Sequence, residues 1–191
     1  MVHEVSHGLV AYRLGDDTAK QMNRLNLNPL NHIDPVGSLI LPFFLFLMGS
    51  PILFGWAKPV PYNPYNLRDP KKGAALIGIA GPLSNIAIAV IFGILIRLLK
   101  LMPVISGPAA PLFIFLNMIV FINLLLAVFN LVPIPPLDGS KVLFALLPSK
   151  YYKIQNFLEQ YGMIILLFFI FFGFGILAPV IQGLYVLLIG Q

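Results

Sequence analysis

Within its first seven residues the chain carries His3-Glu4-Val5-Ser6-His7. On a helix, two histidines four residues apart project from one face about a turn from each other, so both imidazoles can close on a single zinc ion. Glu4 lies beside them, where a carboxylate can take a proton from water activated by the metal. A zinc ion that performs hydrolysis takes three protein ligands and leaves a fourth position open. The pattern therefore calls for one more ligand elsewhere.

Asp138 is the candidate. It ends the stretch Asn130-Leu131-Val132-Pro133-Ile134-Pro135-Pro136-Leu137-Asp138-Gly139. Three prolines in four residues stop a helix while its surroundings are still apolar, which presents Asp138 on irregular backbone at or below membrane depth. An acid there is costly unless something neutralises it. Zinc would do so, and so would Lys141 three residues on; both readings stay open. His32 and Asp34 occur in Asn31-His32-Ile33-Asp34-Pro35 and read as turn residues rather than as a second metal pair.

A further polar group, Gly81-Pro82-Leu83-Ser84-Asn85, sits inside an apolar run. Gly permits close backbone approach, Pro frees a carbonyl, and Asn offers both donors and an acceptor. Helix packing would account for it; on a functional reading, Asn85 binds substrate backbone near the metal.

The elements that must position these residues are helices in lipid. Of 191 residues, 59% are hydrophobic and only 10% are charged, with a mean hydropathy of +0.91, outside the range of soluble domains. Asp, Glu, Lys and Arg are absent from Pro35 to Ala57, Gly73 to Ile96, Leu101 to Leu137 and Gln160 to Gln191, each run long enough for the roughly 20 residues of a membrane helix. The chain reads as a single all-α polytopic membrane domain over 1–191. We expect a bundle of about four to five transmembrane helices, the first one truncated, with short extended segments near the membrane surface.

The membrane segments are expected over 36–55, 73–96, 112–131 and 161–189. Pro42 and Pro51 suggest that the first is kinked or re-entrant, and Trp56 and Lys58 follow as interfacial anchors. If 36–55 spans fully, the helices carrying His3 and Gly81 run parallel; if it is re-entrant or lies at the surface they run antiparallel. Residues 1–14 form a helix stopped near Gly15, too short to span, which suggests a fragment, a late assigned start or a helix that enters the bilayer partway. The run 161–189 reads as a long packing helix, broken near its glycines and Pro179.

The net charge is +5, with basic residues in the gaps between apolar runs, as suits a lipid headgroup surface. No basic cluster is interleaved with aromatics, so nucleic acid is not an expected partner. With no cysteine, thiolate metal sites and disulfides are excluded.

Together, His3-Glu4-Val5-Ser6-His7, Gly81 to Asn85 and Asn130 to Gly139 resemble the site-2 protease family of intramembrane zinc metalloproteases, also called M50, in that family's order. The segments around Leu25 to Gly37 and Gly55 to Val60 resemble its short bacterial and archaeal branch, which has no PDZ domain. The resemblance implies that His3, His7 and Asp138 bind one Zn2+ ion and that Glu4 is the catalytic base. It further implies that Asn85 and Asn130 support substrate binding or the site. The expected partners are a transmembrane protein substrate and the lipid bilayer, and the expected location is the cell membrane, crossed several times. Extended edges at 25–35 and 60–65 would pair with an unwound substrate. Only Met1 and Val2 precede His3, whereas family members lead this helix in with apolar residues. Two other classes fit less of the pattern: a non-catalytic membrane protein retaining a metal site, and an ion transporter, which usually shows paired repeats.

Overall fold

The computed structural model describes residues 1–49, 55, 58–101 and 110–190. The expectations placed on Pro51 and Trp56 lie outside the described residues. Those described fold into eight α-helices with short 3-10 and π-helical turns and no strand. The helices are α1 (Val2–Arg13), α2 (Thr18–Gln21), α3 (Leu41–Leu47), α4 (Pro70–Lys100), α5 (Ala110–Asn130), α6 (Asp138–Leu146), α7 (Tyr152–Phe168) and α8 (Ala178–Ile189).

The bundle is built around α4, which packs against α1, α5, α6 and α8. Its start is well specified: Asp69 accepts from the backbone amides of Lys71 and Lys72 at 3.1 and 3.0 Å, and Pro70 stands at the first helical position, where no N–H is missed. Its 31 residues reach about 46 Å, more than the hydrocarbon thickness. At its far end Arg97 donates to Leu188 O at 2.7 Å and to Leu187 O, and Lys100 donates to Ile189 O at 3.0 Å. These cations occupy the terminal carbonyls of α8, where both charge and hydrogen bonding favour them. Ala89, Ile96, Leu116, Val120, Leu124, Ile181 and Ile189 fill the core between α4, α5 and α8.

Three helical stretches are long and apolar enough to cross a membrane among the described residues: Pro70–Lys100, Pro111–Asn130 and Ser149–Ile176. Two shorter apolar stretches, Pro35–Leu47 and Ala178–Ile189, accompany them. Thus 73–96 and 112–131 fall within or almost within single helices. In the region of 36–55, Pro35–Ile40 is π-helical and leads into α3. The region of 161–189 is two helices: α7 begins earlier, at Tyr152, and a π-turn at Phe169–Gly173 and a 3-10 turn at Phe174–Ile176 separate it from α8. In α5, Asn117, Asn123 and Asn130 each turn their amide back to the carbonyl four residues earlier, at 2.7 to 2.9 Å, which satisfies a polar group in apolar surroundings. Phe43, Phe44 and Phe46 on α3 and Phe168, Phe171 and Phe172 at the end of α7 are exposed, as lipid-facing residues would be.

The pairing of α1 with α4 positions the site. Asp16 meets Asn66, His7 meets Ile77 and His3 meets Asn85, so the numbers fall along one helix as they rise along the other. The two helices are therefore antiparallel, the arrangement expected if 36–55 is re-entrant or lies at the surface. Asp16, fully buried, locks this end. It accepts from Thr18 Oγ1 at 2.5 Å, Thr18 N at 3.2 Å, Asn63 N at 2.7 Å and Asn66 Nδ2 at 2.8 Å. Burial works against its charge, but these donors outweigh it and hold the carboxyl below its ordinary value.

Candidate metal centre

The chain turns back on itself between α5 and α6. Backbone bonds from Val132 to Phe129, Ile134 to Val132 and Leu137 to Ile134 tighten the proline stretch, and Asp138 emerges as the first residue of α6. Gly139 makes this approach possible, since a Cβ there would overlap the carbonyl oxygens of Leu131 and Val132.

Asp138 then meets both histidines of α1. Its Oδ2 lies 3.1 Å from His3 Nε2 and 3.1 Å from His7 Nε2. Ligand atoms of these three residues all lie within 4.8 Å of one another, and no other such group of His, Cys, Asp and Glu occurs among the described residues. The remaining carboxylate oxygen, Oδ1, accepts from Lys141 Nζ at 2.9 Å. The Lys141 pairing left open by the sequence is thus present on Oδ1, while Oδ2 faces the two histidines.

The donor set fits a cation. His7 Nδ1 lies 2.5 Å from Ile77 O, and a carbonyl can only accept, so Nδ1 carries a proton, and in the neutral ring the lone pair is on Nε2. That lone pair faces a buried carboxylate oxygen that also has none to give. Two buried acceptors turned on each other are unfavourable unless a positive ion or a proton stands between them. Two imidazole nitrogens and one carboxylate oxygen form the ligand set of hydrolytic zinc sites.

Gly81 supplies the clearance. A Cβ on Gly81 would overlap His7 Nε2 and the His3 ring, so any larger residue at this point of α4 would displace both imidazoles. Pro82 follows inside the helix and is fully buried; its missing N–H leaves the carbonyl of Gly78 without its usual helical partner.

A cavity of about 380 Å3 opens beside the cluster, lined among others by His3, Glu4, His7, Asn130, Asp138 and Lys141. Val60 N donates to Glu4 Oε2 at 3.2 Å. Residues 58–60 are held in turn by Arg24, whose buried guanidinium donates to Lys58 O at 2.9 Å, Pro59 O at 3.3 Å and Asn31 O. A second cavity, about 700 Å3, shares Tyr62, Pro136 and Lys141 with the first and extends to Pro70 and Ser149.

The structure brings His3, Glu4, His7, Asp138 and Asn130 to one cavity. Asn85 is buried behind His3, at 3.2 Å from its Nδ1, and is not among the cavity-lining residues. His32 stays apart, bonded through Nε2 to Asn26 O at 2.8 Å, and Asp34 caps the turn that follows it. The stretches 25–35 and 60–65 form no strand pairing among the described residues; each contains a 3-10 turn, Pro29–His32 and Pro64–Asn66 respectively. Sequence reasoning missed Arg24 and Val60. The signal for Val60 was present: in Pro59-Val60-Pro61 it carries the one backbone N–H.

The model of peptidase family M50 matches residues 100–172. "Putative zinc metalloprotease YwhC" of Bacillus subtilis is 38% identical over 168 residues, covering 87% of this chain and 73% of that protein. A similarly named protein of Mycolicibacterium smegmatis, Rip2, is 30% identical over 168 residues, 86% of this chain and 60% of its own length. "Zinc metalloprotease MJ0392" of Methanocaldococcus jannaschii is 39% identical over 82 residues, 43% of this chain and 22% of that protein. No solved structure gave a significant match.

Proposed function

This chain belongs to peptidase family M50, and from that premise we propose that it is a zinc-dependent endopeptidase that cuts transmembrane protein substrates within the cell membrane, which it crosses several times. The observation that carries the reading is the meeting of His3 Nε2, His7 Nε2 and Asp138 Oδ2 within 4.8 Å, with Glu4 lining the same cavity.

His3, His7 and Asp138 would hold one zinc ion. Bound there, zinc acidifies water and polarises a peptide carbonyl. Glu4 takes the proton of the attacking water on its carboxylate and returns it to the departing amine nitrogen. The Val60 amide restrains Glu4 Oε2, leaving the other oxygen to face the substrate. Lys141 neutralises Asp138 Oδ1, so that the acid can bind metal through Oδ2 while retaining a partner for its second oxygen. Asn130, at the cavity wall, would contact the substrate backbone. Long apolar helices flanking the centre support a substrate within the bilayer. Such a substrate must unwind locally before its carbonyl is reachable, because a helix engages its carbonyls in hydrogen bonds.

The test is Glu4→Gln in full-length protein reconstituted with a transmembrane substrate. Zinc should remain bound and cleavage should fall by at least a hundredfold, within the range for general-base loss. Cleavage at the wild-type rate would overturn the role of Glu4. Zinc bound without cleavage of any membrane substrate by the wild type would favour a metal-holding, non-catalytic protein.

A further inference from the structure

We propose that Asn85 positions His3 for zinc, its side-chain amide holding the imidazole from behind through Nδ1. The inference rests on the reading of His3 as a zinc ligand. It assigns Asn85 a role different from the contact with substrate backbone that its residue type suggested.

The two histidines are supported differently. His7 Nδ1 is bonded to a carbonyl, Ile77 O, which holds its ring in the tautomer with a free Nε2 whether or not metal is present. His3 Nδ1 is bonded to an amide, which offers a donor at one end and an acceptor at the other. The Asn85 amide lies 3.2 Å from His3 Nδ1. For His3 to bind metal through Nε2, its ring proton must be on Nδ1, where it needs an acceptor, and the amide oxygen of Asn85 provides one when that end faces the ring. A leucine could not accept this proton, and an aspartate could.

Three further observations support this role. Asn85 is only 3% exposed and does not line the cavity, so it is placed to act on His3 rather than on substrate. It stands one turn beyond Gly81, whose missing side chain lets the imidazoles approach α4. Ligand histidines nearly always have such a partner on their second nitrogen, and losing it weakens metal binding by roughly 10- to 100-fold.

The experiment measures zinc affinity by chelator competition on the detergent-solubilised full chain, for wild type, Asn85→Leu and Asn85→Asp. Asn85→Leu should bind zinc about 10- to 100-fold more weakly, while Asn85→Asp should match or exceed the wild type. Wild-type affinity in Asn85→Leu overturns the proposal. So does an equal loss in both variants, which would mean that residue 85 matters for packing alone. A readout independent of the variants is the nitrogen spectrum of 15N-histidine-labelled wild type, in which His3 Nδ1 should carry the ring proton in the zinc form; Nδ1 left unprotonated in the zinc form overturns the proposal. A wild type that takes up no zinc refutes the zinc reading itself, and is distinguished from these outcomes before any variant is compared.

Discussion

The backbone amide of Val60 donates to Glu4 Oε2 across 3.2 Å, and it is the single N–H that Pro59-Val60-Pro61 possesses. Arg24 fixes this segment from the other side through the carbonyls of Lys58 and Pro59, while Lys58 N is tied to His32 O at 2.9 Å. A residue outside the metal cluster thereby determines where the proposed base points.

Arg24→Met should lower stability by about 2–4 kcal/mol, since it removes the charge-assisted hydrogen bonds that the buried guanidinium makes to three backbone carbonyls. Because Arg24 touches none of the metal ligands, zinc stoichiometry should stay at one per chain while turnover falls roughly tenfold. Thermal unfolding, metal analysis and a cleavage assay on one preparation check this, and loss of zinc would show that the segment also supports the histidines.

Gly81→Ala pits two effects of opposite sign against each other. Helix propensity alone would favour alanine by up to about 1 kcal/mol, whereas the added Cβ would collide with the His7 and His3 rings. The collision should win, giving weaker zinc binding and a lower unfolding temperature. A more stable variant with normal zinc would mean that α1 and α4 can separate without cost.

Asp138→Ala should abolish stoichiometric zinc binding, because it removes the oxygen shared by both histidines and leaves the half-buried Lys141 without its partner. The unpaired lysine should also lower stability. Metal analysis after dialysis checks the first part, and normal zinc content would remove Asp138 from the ligand set.

Asp16 gives stability a pH dependence. Its carboxyl is held below its ordinary value of 3.8 by Thr18, Asn63 and Asn66. A depressed folded-state value means that its contribution is fully present above the unfolded value and lost as pH falls through the folded one. The wild type should therefore be more stable than Asp16→Asn at neutral pH, and the gap should narrow below about pH 4. Unfolding temperatures of both proteins between about pH 7 and pH 3 check the sign; a constant gap would contradict it.

The residues of the candidate cluster were legible in the sequence wherever residue type and local pattern coincide. His3, Glu4 and His7 share a helix, and Asp138 is marked by the prolines that stop α5, so both could be found from residue types and spacing. The all-helical membrane architecture followed from charge-free runs. What could not be read was whatever depends on one element meeting another. The lone N–H of Pro59-Val60-Pro61 marks Val60 as a donor, but nothing local to it or to Arg24 says that this segment meets Glu4. The division of 161–189 into α7 and α8 turns on how Gly173 and Pro179 are used, since either can sit inside a membrane helix. Asn85 was visible as a polar residue in lipid, but its partner is set by the antiparallel docking of α1, which its own sequence does not specify.

Ile77, Gly81 and Asn85 are spaced four apart along α4 and occupy one stripe of it, within about 12 Å. This stripe acts as a gauge: a carbonyl for one imidazole, room for both, and an amide for the other, all at fixed intervals on a single rigid rod. Sliding α1 by one residue against that rod would turn its histidines through about 100° and lose all three contacts together. Correct alignment of the two helices and a usable metal geometry are therefore one event rather than two.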